Sequence, residues 1–297
     1  MIDVVILGGG HMGALHARVF ALASPETARV IGVFDVDAVA AARLAAARGI
    51  KVFSTLTEAV FAADLTVVAT PIDSHRALAQ EALFAGGAVL VEKPVCGTLA
   101  DVVALERAHL RSGAPVFVGH SERFNPVIVA MRSLVRGQRV RRISLERLGP
   151  RSRHAEHGVA VNLAVHDLDL ASIFLDGTML VHSARGERDE IEIELTGGTG
   201  SAHLHASQRA TTRTRQIVLD LDDRTYEADL LDLTLTGTDG PLAVPHEEPL
   251  VLQARAILDA LEGRPSTAAR LEDGATAVRA ALAAERLREA GLRALAR

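Results

Sequence analysis

Val4-Val5-Ile6-Leu7-Gly8-Gly9-Gly10-His11-Met12-Gly13 stands almost at the start of the chain, and its reading decides the fold. Four apolar residues without polar alternation describe a strand covered on both faces. The glycines at 8, 10 and 13 form G-x-G-x-x-G, and residues 11–24 have the composition of a helix. Strand, glycine turn and helix in that order open a dinucleotide-binding βαβ unit. Gly8 permits the tight turn, Gly10 lets the backbone approach a pyrophosphate, and Gly13 lets helix and strand pack closely. The N–H groups at the start of the helix, around His11 and Met12, then face the phosphates with a partial positive charge. Without its context the same pattern describes an ordinary strand–helix turn.

The context extends outward. Short apolar runs recur at Val30–Phe34, Lys51–Phe53, Leu65–Ala69, Ala88–Val91 and Val116–Val118. Between them lie segments rich in Ala, Leu, Arg and Glu, which favour helix. Strands alternating with helices predict a parallel, doubly wound α/β Rossmann domain over residues 1–120. The second run ends at Asp35, 22 residues past Gly13, where the fingerprint places an acidic residue for ribose hydroxyls. Its carboxylate repels a 2′-phosphate, and no Arg or Lys follows before Arg43. NAD is therefore expected rather than NADP. Asp37 is expected to cap the next helix.

After residue 120 the rhythm changes. Helical patterns cover Phe124–Val135 and Asn162–Leu175, and strand patterns follow at Val140–Leu148, Met179–Arg185, Glu190–Leu195, Ser201–Ser207, Arg213–Leu221 and Thr225–Leu233. Ile191, Ile193 and Leu195 alternate with Glu190, Glu192 and Glu194, as in an antiparallel sheet with one wet face. Helices over Leu250–Glu262 and Gly274–Ala290 close the chain. Residues 121–297 thus predict an α+β substrate-binding and oligomerisation domain built on a mainly antiparallel open sheet.

Bulk properties limit the function. The net charge is −5 with both signs scattered, unlike the basic stripe of a nucleic-acid binder. Cys96 is the only cysteine, which excludes an internal disulfide and suggests a reducing compartment. Neither a leader pattern nor a run of ~20 apolar residues is seen. A cytoplasmic protein is expected, with no membrane and no nucleic-acid partner, and a homodimer or homotetramer as its assembly.

Ligands of open α/β sheets bind beyond the carboxyl ends of the strands. Glu92-Lys93-Pro94 follows the fifth strand, so Lys93 points toward the nicotinamide end of the crevice, where an ammonium can polarise a substrate oxygen. On position alone Lys93 reads equally as a solvated lysine. Thr70-Pro71 ends the fourth strand at the same edge and is expected to line that site, with Ser74-His75 starting the next helix. His75 also reads as plain turn chemistry. Farther on, Asn162, His166 and Asp169 are spaced i, i+4, i+7, which puts them on one helix face. An imidazole there can take a proton from an alcohol near neutral pH; a core histidine satisfied by Asp169 is the alternative.

The glycine turn, Asp35, Thr70-Pro71 with His75, Glu92-Lys93-Pro94 and the later histidine together resemble the Gfo/Idh/MocA family, over essentially the whole chain. The closing segments Glu248-Pro249-Leu250 and Leu271-Glu272-Asp273-Gly274 are similar to the family's last helices. The resemblance implies an oxidoreductase acting on a hydroxyl or keto carbon of sugars and cyclitols with NAD(P). It implies that Lys93 and His166 are the catalytic pair and that Glu92, Lys93, Thr70, Pro71 and His75 border the cofactor. The chain departs from the family pattern at Asn162, where an aspartate is usual. An amide can orient a hydroxyl but cannot raise the basicity of His166, and Asp169 is the nearest substitute.

Gly119-His120-Ser121-Glu122-Arg123-Phe124-Asn125-Pro126 with His166-Asp167-Leu168-Asp169-Leu170 is similar to a subgroup that includes UDP-N-acetylglucosamine 3-dehydrogenases. His120 and Arg123 are accordingly candidate substrate-orienting residues, or else domain-junction structure with Arg123 paired to a carboxylate. Arg139, Arg141, Arg142, Arg147, Arg151 and Arg153 form the densest basic stretch. It suits either a phosphate-bearing sugar or solvent. An amino-acid, imine or biliverdin-type reductase on the same scaffold, and a non-catalytic NAD(H) sensor, are the competing readings. Hydride and proton transfer need no metal.

Overall fold

The computed structural model describes residues 1–151, 157–198 and 200–295. The chain divides into two compact units: Met1–Ser121 with Pro249–Ala275, and Glu122–Glu248 with the residues from Thr276 onward.

The first unit is built on six parallel strands: β1 (Ile2–Leu7), β2 (Ala28–Phe34), β3 (Lys51–Val52), β4 (Leu65–Val68), β5 (Ala88–Val91) and β6 (Val116–Val118). The helices between them are α1 (His11–Ala23), α2 (Ala38–Arg48), α3 (Leu56–Phe61), α4 (Ile72–Phe84) and α5 (Leu99–Ser112). Sheet order is β3-β2-β1-β4-β5-β6, so the chain reverses direction across the sheet between β1 and β4. Val4 to Leu7, Leu65 to Val68 and Val89 to Val91 are fully buried, as strands covered on both faces must be. The helices start where local chemistry provides caps. Asp37 accepts from Val39 N and Ala40 N, Thr55 from Glu58 N, and Thr98 from Asp101 N. The helix α4 is the exception to the expected start: Pro71 holds its N-cap, and the Ser74 hydroxyl bonds Thr70 Oγ1 and Pro71 O instead.

The second unit begins with a 3-10 turn over Ser121–Phe124 and α6 (Pro126–Leu134), which Asn125 caps through Val127 N. Then come β7 (Arg142–Pro150), a π-helical turn over Ala160–Ala164 and α7 (Val165–Leu175). The remaining strands are β8 (Leu180–Glu187), β9 (Glu190–Thr196), β10 (Ser201–Ser207), β11 (Arg209–Asp220), β12 (Thr225–Asp229), β13 (Thr234–Gly237) and β14 (Gly240–Pro241). They form one eight-stranded sheet in the order β14-β13-β12-β11-β7-β10-β9-β8. Every pair is antiparallel except β7 with β10, which run parallel. The expected mainly antiparallel sheet is therefore observed, with one parallel pair at its centre. The residues Ile143, Leu145, Ile191, Ile193, Leu204, Ile217 and Leu219 form the buried rows, and α7 packs on β7 and β10.

One domain assignment needs correction. Residues 121–297 do not all belong to the second unit, because α8 (Pro249–Leu261) returns to the first and packs on α1. Its stripe of Ala254, Ile257 and Leu258 is buried, and such a stripe needs a covering surface. The link after it is tied down as well: Val118 N donates to Ala269 O, and Phe117 bridges to Arg270. The last helix, α9 (Leu271–Leu295), starts against β6, where a side chain on Gly274 would meet Val118 within 2.7 Å. Among the described residues no helix is long and apolar enough to cross a membrane.

Candidate active site

In the first unit the ends of β1, β4 and β5 lie side by side. Their register carries through the residues just beyond them: Ala69 N donates to Leu7 O and Glu92 N to Val68 O. Gly8–Gly10, Thr70-Pro71 and Glu92-Lys93 therefore share one edge. Gly8 sits at φ +107°, and a Cβ there would lie 2.5 Å from Ala69 O. A Cβ on Gly13 would lie 1.8 Å from Gly8 O, so the glycine is what lets α1 start against the turn. Gly10 differs from both: a Cβ would meet nothing within 4 Å. Gly10 is also the N-cap of α1, and no side chain caps that helix. The first-turn N–H groups thus open onto space beside Gly10, as a pyrophosphate requires. The residues present fit a dinucleotide.

Asp35 braces this turn. Its Oδ2 accepts from Gly9 N at 2.6 Å and its Oδ1 from Asp37 N at 2.8 Å. Each oxygen retains a second lone pair for a ribose hydroxyl. His11 is exposed at the first position of α1, Met12 is half-buried beside it, and Pro71 is exposed at the head of α4.

Two residues expected at the cofactor hold the loops of this edge together. His75 is buried, with Nδ1 2.9 Å from Pro94 O and Nε2 2.8 Å from Thr70 O. It ties the loop after β4 to the loop after β5. Burial pushes its imidazole below the usual histidine range, against the two carbonyls. Glu92 is only 7% exposed. Its Oε1 accepts from His16 Nε2 at 2.7 Å and its Oε2 from Lys93 N at 3.1 Å. Burial opposes the Glu92 charge, but the His16 bond and the nearby Lys93 outweigh it and hold the carboxyl below its usual range. Lys93 itself is half-buried, ahead of a cis Pro94. His120 is buried just past β6.

In the second unit Asn162 lies in the π-helical turn and His166 in the first turn of α7, both half-buried. Turns of this kind recur at functional sites. Glu285 holds the start of this one: its Oε1 accepts from Ala160 N at 2.9 Å, and a Cβ on Gly158 would meet the same oxygen. The Asn162 Nδ2 is buried and has no hydrogen-bond partner among the described residues, so it is a donor in need of an acceptor.

Asp169, expected on one face with Asn162 and His166, is engaged with Arg123. It is 1% exposed and takes a forked pair of bonds from Arg123, Nη2 to Oδ1 at 2.6 Å and Nε to Oδ2 at 2.8 Å. Asp169 and Arg123 are therefore paired with each other. Beside them Arg147, 1% exposed, donates to Asp167 Oδ1 at 2.8 Å and to Glu122 Oε1 at 3.0 Å. Burial opposes the charge on Arg147, but the two carboxylates outweigh it and raise its pKa. The basic stretch thus splits. Arg139, Arg141, Arg142 and Arg151 are exposed, Arg147 is core, and Arg153 lies outside the described residues.

The sequence reading missed His16, which had a local signal, one helical turn after Gly13 on the buried face of α1. Arg147, read there with the basic stretch, had a signal of burial, since it continues the inward row of Ile143 and Leu145.

The Gfo/Idh/MocA model, described as an oxidoreductase family with an NAD-binding Rossmann fold, matches residues 2–120. UDP-N-acetylglucosamine 3-dehydrogenase of Acidithiobacillus ferrooxidans is 29% identical over 238 residues, 77% of this chain and 74% of that protein. Inositol 2-dehydrogenase of Rhizobium meliloti is 26% identical, covering 70% of this chain and 68% of that one. The solved structure of the Acidithiobacillus enzyme superposes with a TM-score of 0.89, at 26% identity, over 97% of this chain and 98% of its own. With its glycine turn and Glu92-Lys93-Pro94 edge, the stretch 2–120 matches the Gfo/Idh/MocA family of oxidoreductases, and nearly the whole chain shares the fold of the Acidithiobacillus enzyme.

Proposed function

We propose that the chain is an NAD(H)-dependent dehydrogenase moving a hydride between the nicotinamide and a carbinol or keto carbon of a sugar, sugar nucleotide or cyclitol. The observation that carries this reading is the open, uncapped glycine turn at Gly10 with Lys93 on the same strand edge. NAD, when bound, supplies the hydride acceptor. In oxidation the Lys93 ammonium donates a hydrogen bond to the substrate oxygen and holds the charge that develops there. The His166 imidazole takes the hydroxyl proton, and returns it in reduction. Asn162 Nδ2 donates to a substrate oxygen and orients it. His120 sits just past β6 as a further candidate for orienting substrate. Arg123 and Asp169 act together, as the ion pair that fixes α7.

NAD is preferred over NADP because the Asp35 carboxylate, fixed by Gly9 N and Asp37 N, repels a 2′-phosphate. The lone buried Cys96 fits the cytoplasm. Self-association into a homodimer or homotetramer is the proposed assembly, measurable by light scattering.

The test is turnover of UDP-N-acetylglucosamine, myo-inositol and a panel of aldoses with NAD, in wild type, Lys93→Ala and His166→Ala. Each variant should lose about 10²–10⁴-fold in kcat with NADH affinity unchanged. Wild-type turnover by both variants sinks the assignment. Cofactor binding with no turnover on any of these substrates favours a sensor.

A further inference from the structure

Resting on that reading of Lys93, the structure assigns His16 and Glu92 as positioning residues: the imidazole on α1 fixes the Glu92 carboxylate, and the carboxylate fixes the turn that carries the ammonium. The chain of contacts is continuous within the first unit. His16 lies on the helix whose N-terminus forms the phosphate turn. Its Nε2 donates to Glu92 Oε1 at 2.7 Å, and Glu92 Oε2 accepts from the Lys93 backbone N at 3.1 Å. His75, from α4, closes the same turn from its other end through Pro94 O.

A structural ion pair alone does not require this arrangement. The Glu92 side chain bends back onto its own following residue, and the chain just past β6 leaves room for it at Gly119. A Cβ on Gly119 would stand 2.9 Å from the carboxylate, so only glycine leaves room for it there. His16 Nδ1 is buried with no hydrogen-bond partner among the described residues. Among the described residues the imidazole thus makes one hydrogen bond, the one with Glu92, and leaves its other nitrogen without one. The groups facing Glu92 are His16 from α1, His75 from α4 and Lys93 itself. Lys93 in turn feels both Glu92 and His75.

Composition makes the proposal directly measurable. Lys51 and Lys93 are the only lysines among 32 Lys and Arg residues. Lys51 stacks on the Phe53 ring, and Lys51→Arg assigns its signal. The experiment is an NMR pH titration of the full chain carrying 13Cε-lysine, run alongside NADH binding by fluorescence and turnover. Glu92→Gln removes the carboxylate charge with little change in shape. His16→Leu removes the donor, whereas His16→Gln keeps an N–H in reach of Glu92.

The expected result is a fall of about one pH unit in the Lys93 titration midpoint in Glu92→Gln. His16→Leu should move it in the same direction. Both should lower kcat about tenfold or more while NADH affinity stays within about threefold, and His16→Gln should restore most of the loss. The proposal is overturned if the Lys93 midpoint is unmoved in Glu92→Gln and His16→Leu. It is also overturned if His16→Gln is as impaired as His16→Leu, since that marks a packing role only. Should His16→Leu not fold, the Glu92→Gln and His16→Gln titrations decide alone. The lysine titration does not depend on turnover, so undiminished activity in Lys93→Ala would overturn the catalytic reading and leave this result separately legible.

Discussion

The edge of the first sheet and the start of α7 solve one problem in two ways. Each buries polar groups that must find partners within its own unit. The first uses groups that can gain or lose a proton: His16 with Glu92, and His75 between two carbonyl oxygens. The second uses guanidinium–carboxylate pairs, Arg123 with Asp169 and Arg147 with Asp167 and Glu122. Arginine keeps its charge at any working pH, so the α7 region is a fixed frame. The strand edge is sensitive to protons, as suits a place where a lysine must hold and release charge.

The largest effect that would break this contrast is expected at Arg123. Arg123→Ala strands the buried Asp169 carboxylate and should cost about 3–5 kcal/mol in urea unfolding. The double variant Arg123→Leu with Asp169→Leu should recover most of that. If Arg123→Ala alone costs nothing, the pair is not a frame. Next comes Gly13→Ala, whose new methyl would overlap Gly8 O. It should lose about 1–3 kcal/mol and weaken NADH binding, because helix and turn must move apart.

Smaller effects sharpen the contrast through pH. The folded-state pKa of His75 is depressed, so the unfolded chain binds a proton that the folded one refuses. Stability should therefore fall as pH drops below 6.5, as linkage requires. A melting series from pH 8 to 5 should show a shallower acid decline in His75→Gln. The smallest effect belongs to His205, in the half-exposed row of the second sheet. Its ring nitrogens lie 3.0 Å from Glu190 and 3.3 Å from Glu146. Burial opposes its charge, but the two carboxylates outweigh it and raise its pKa. Its contribution is present below pH 6.5 and lost as pH rises through the raised value. His205→Gln should flatten only the alkaline side of the same series, by little, because solvent screens the pair.

Local pattern made the first sheet readable. Strands buried on both faces give unbroken apolar runs, and the glycine turn needs three specific positions. In the second unit the alternation at Ile191 to Leu195 was equally legible. The surroundings of His166 were less so. The spacing of Asn162, His166 and Asp169 matches a regular helix, but Asp169 turns to Arg123, 46 positions away, and no short window of sequence contains that partner. Arg147 sat in plain alternation with Ile143 and Leu145, yet its charge argued for solvent. The return of α8 to the first unit left no mark in composition at all, because an amphipathic helix does not state which surface it covers.

The parallel pairing of β7 with β10 carries a consequence for biosynthesis. The central strand of the second sheet, ending at Pro150, has its two neighbours only in β10 and β11, which begin at Ser201 and Arg209. On the ribosome both of its edges stay bare until those later strands emerge. Long-range closures of this kind are slow and leave strand edges open to wrong partners. A nascent chain stalled before Ser201 is therefore the form most prone to chaperone capture or clumping, whereas all six strands of the first sheet have by then been made.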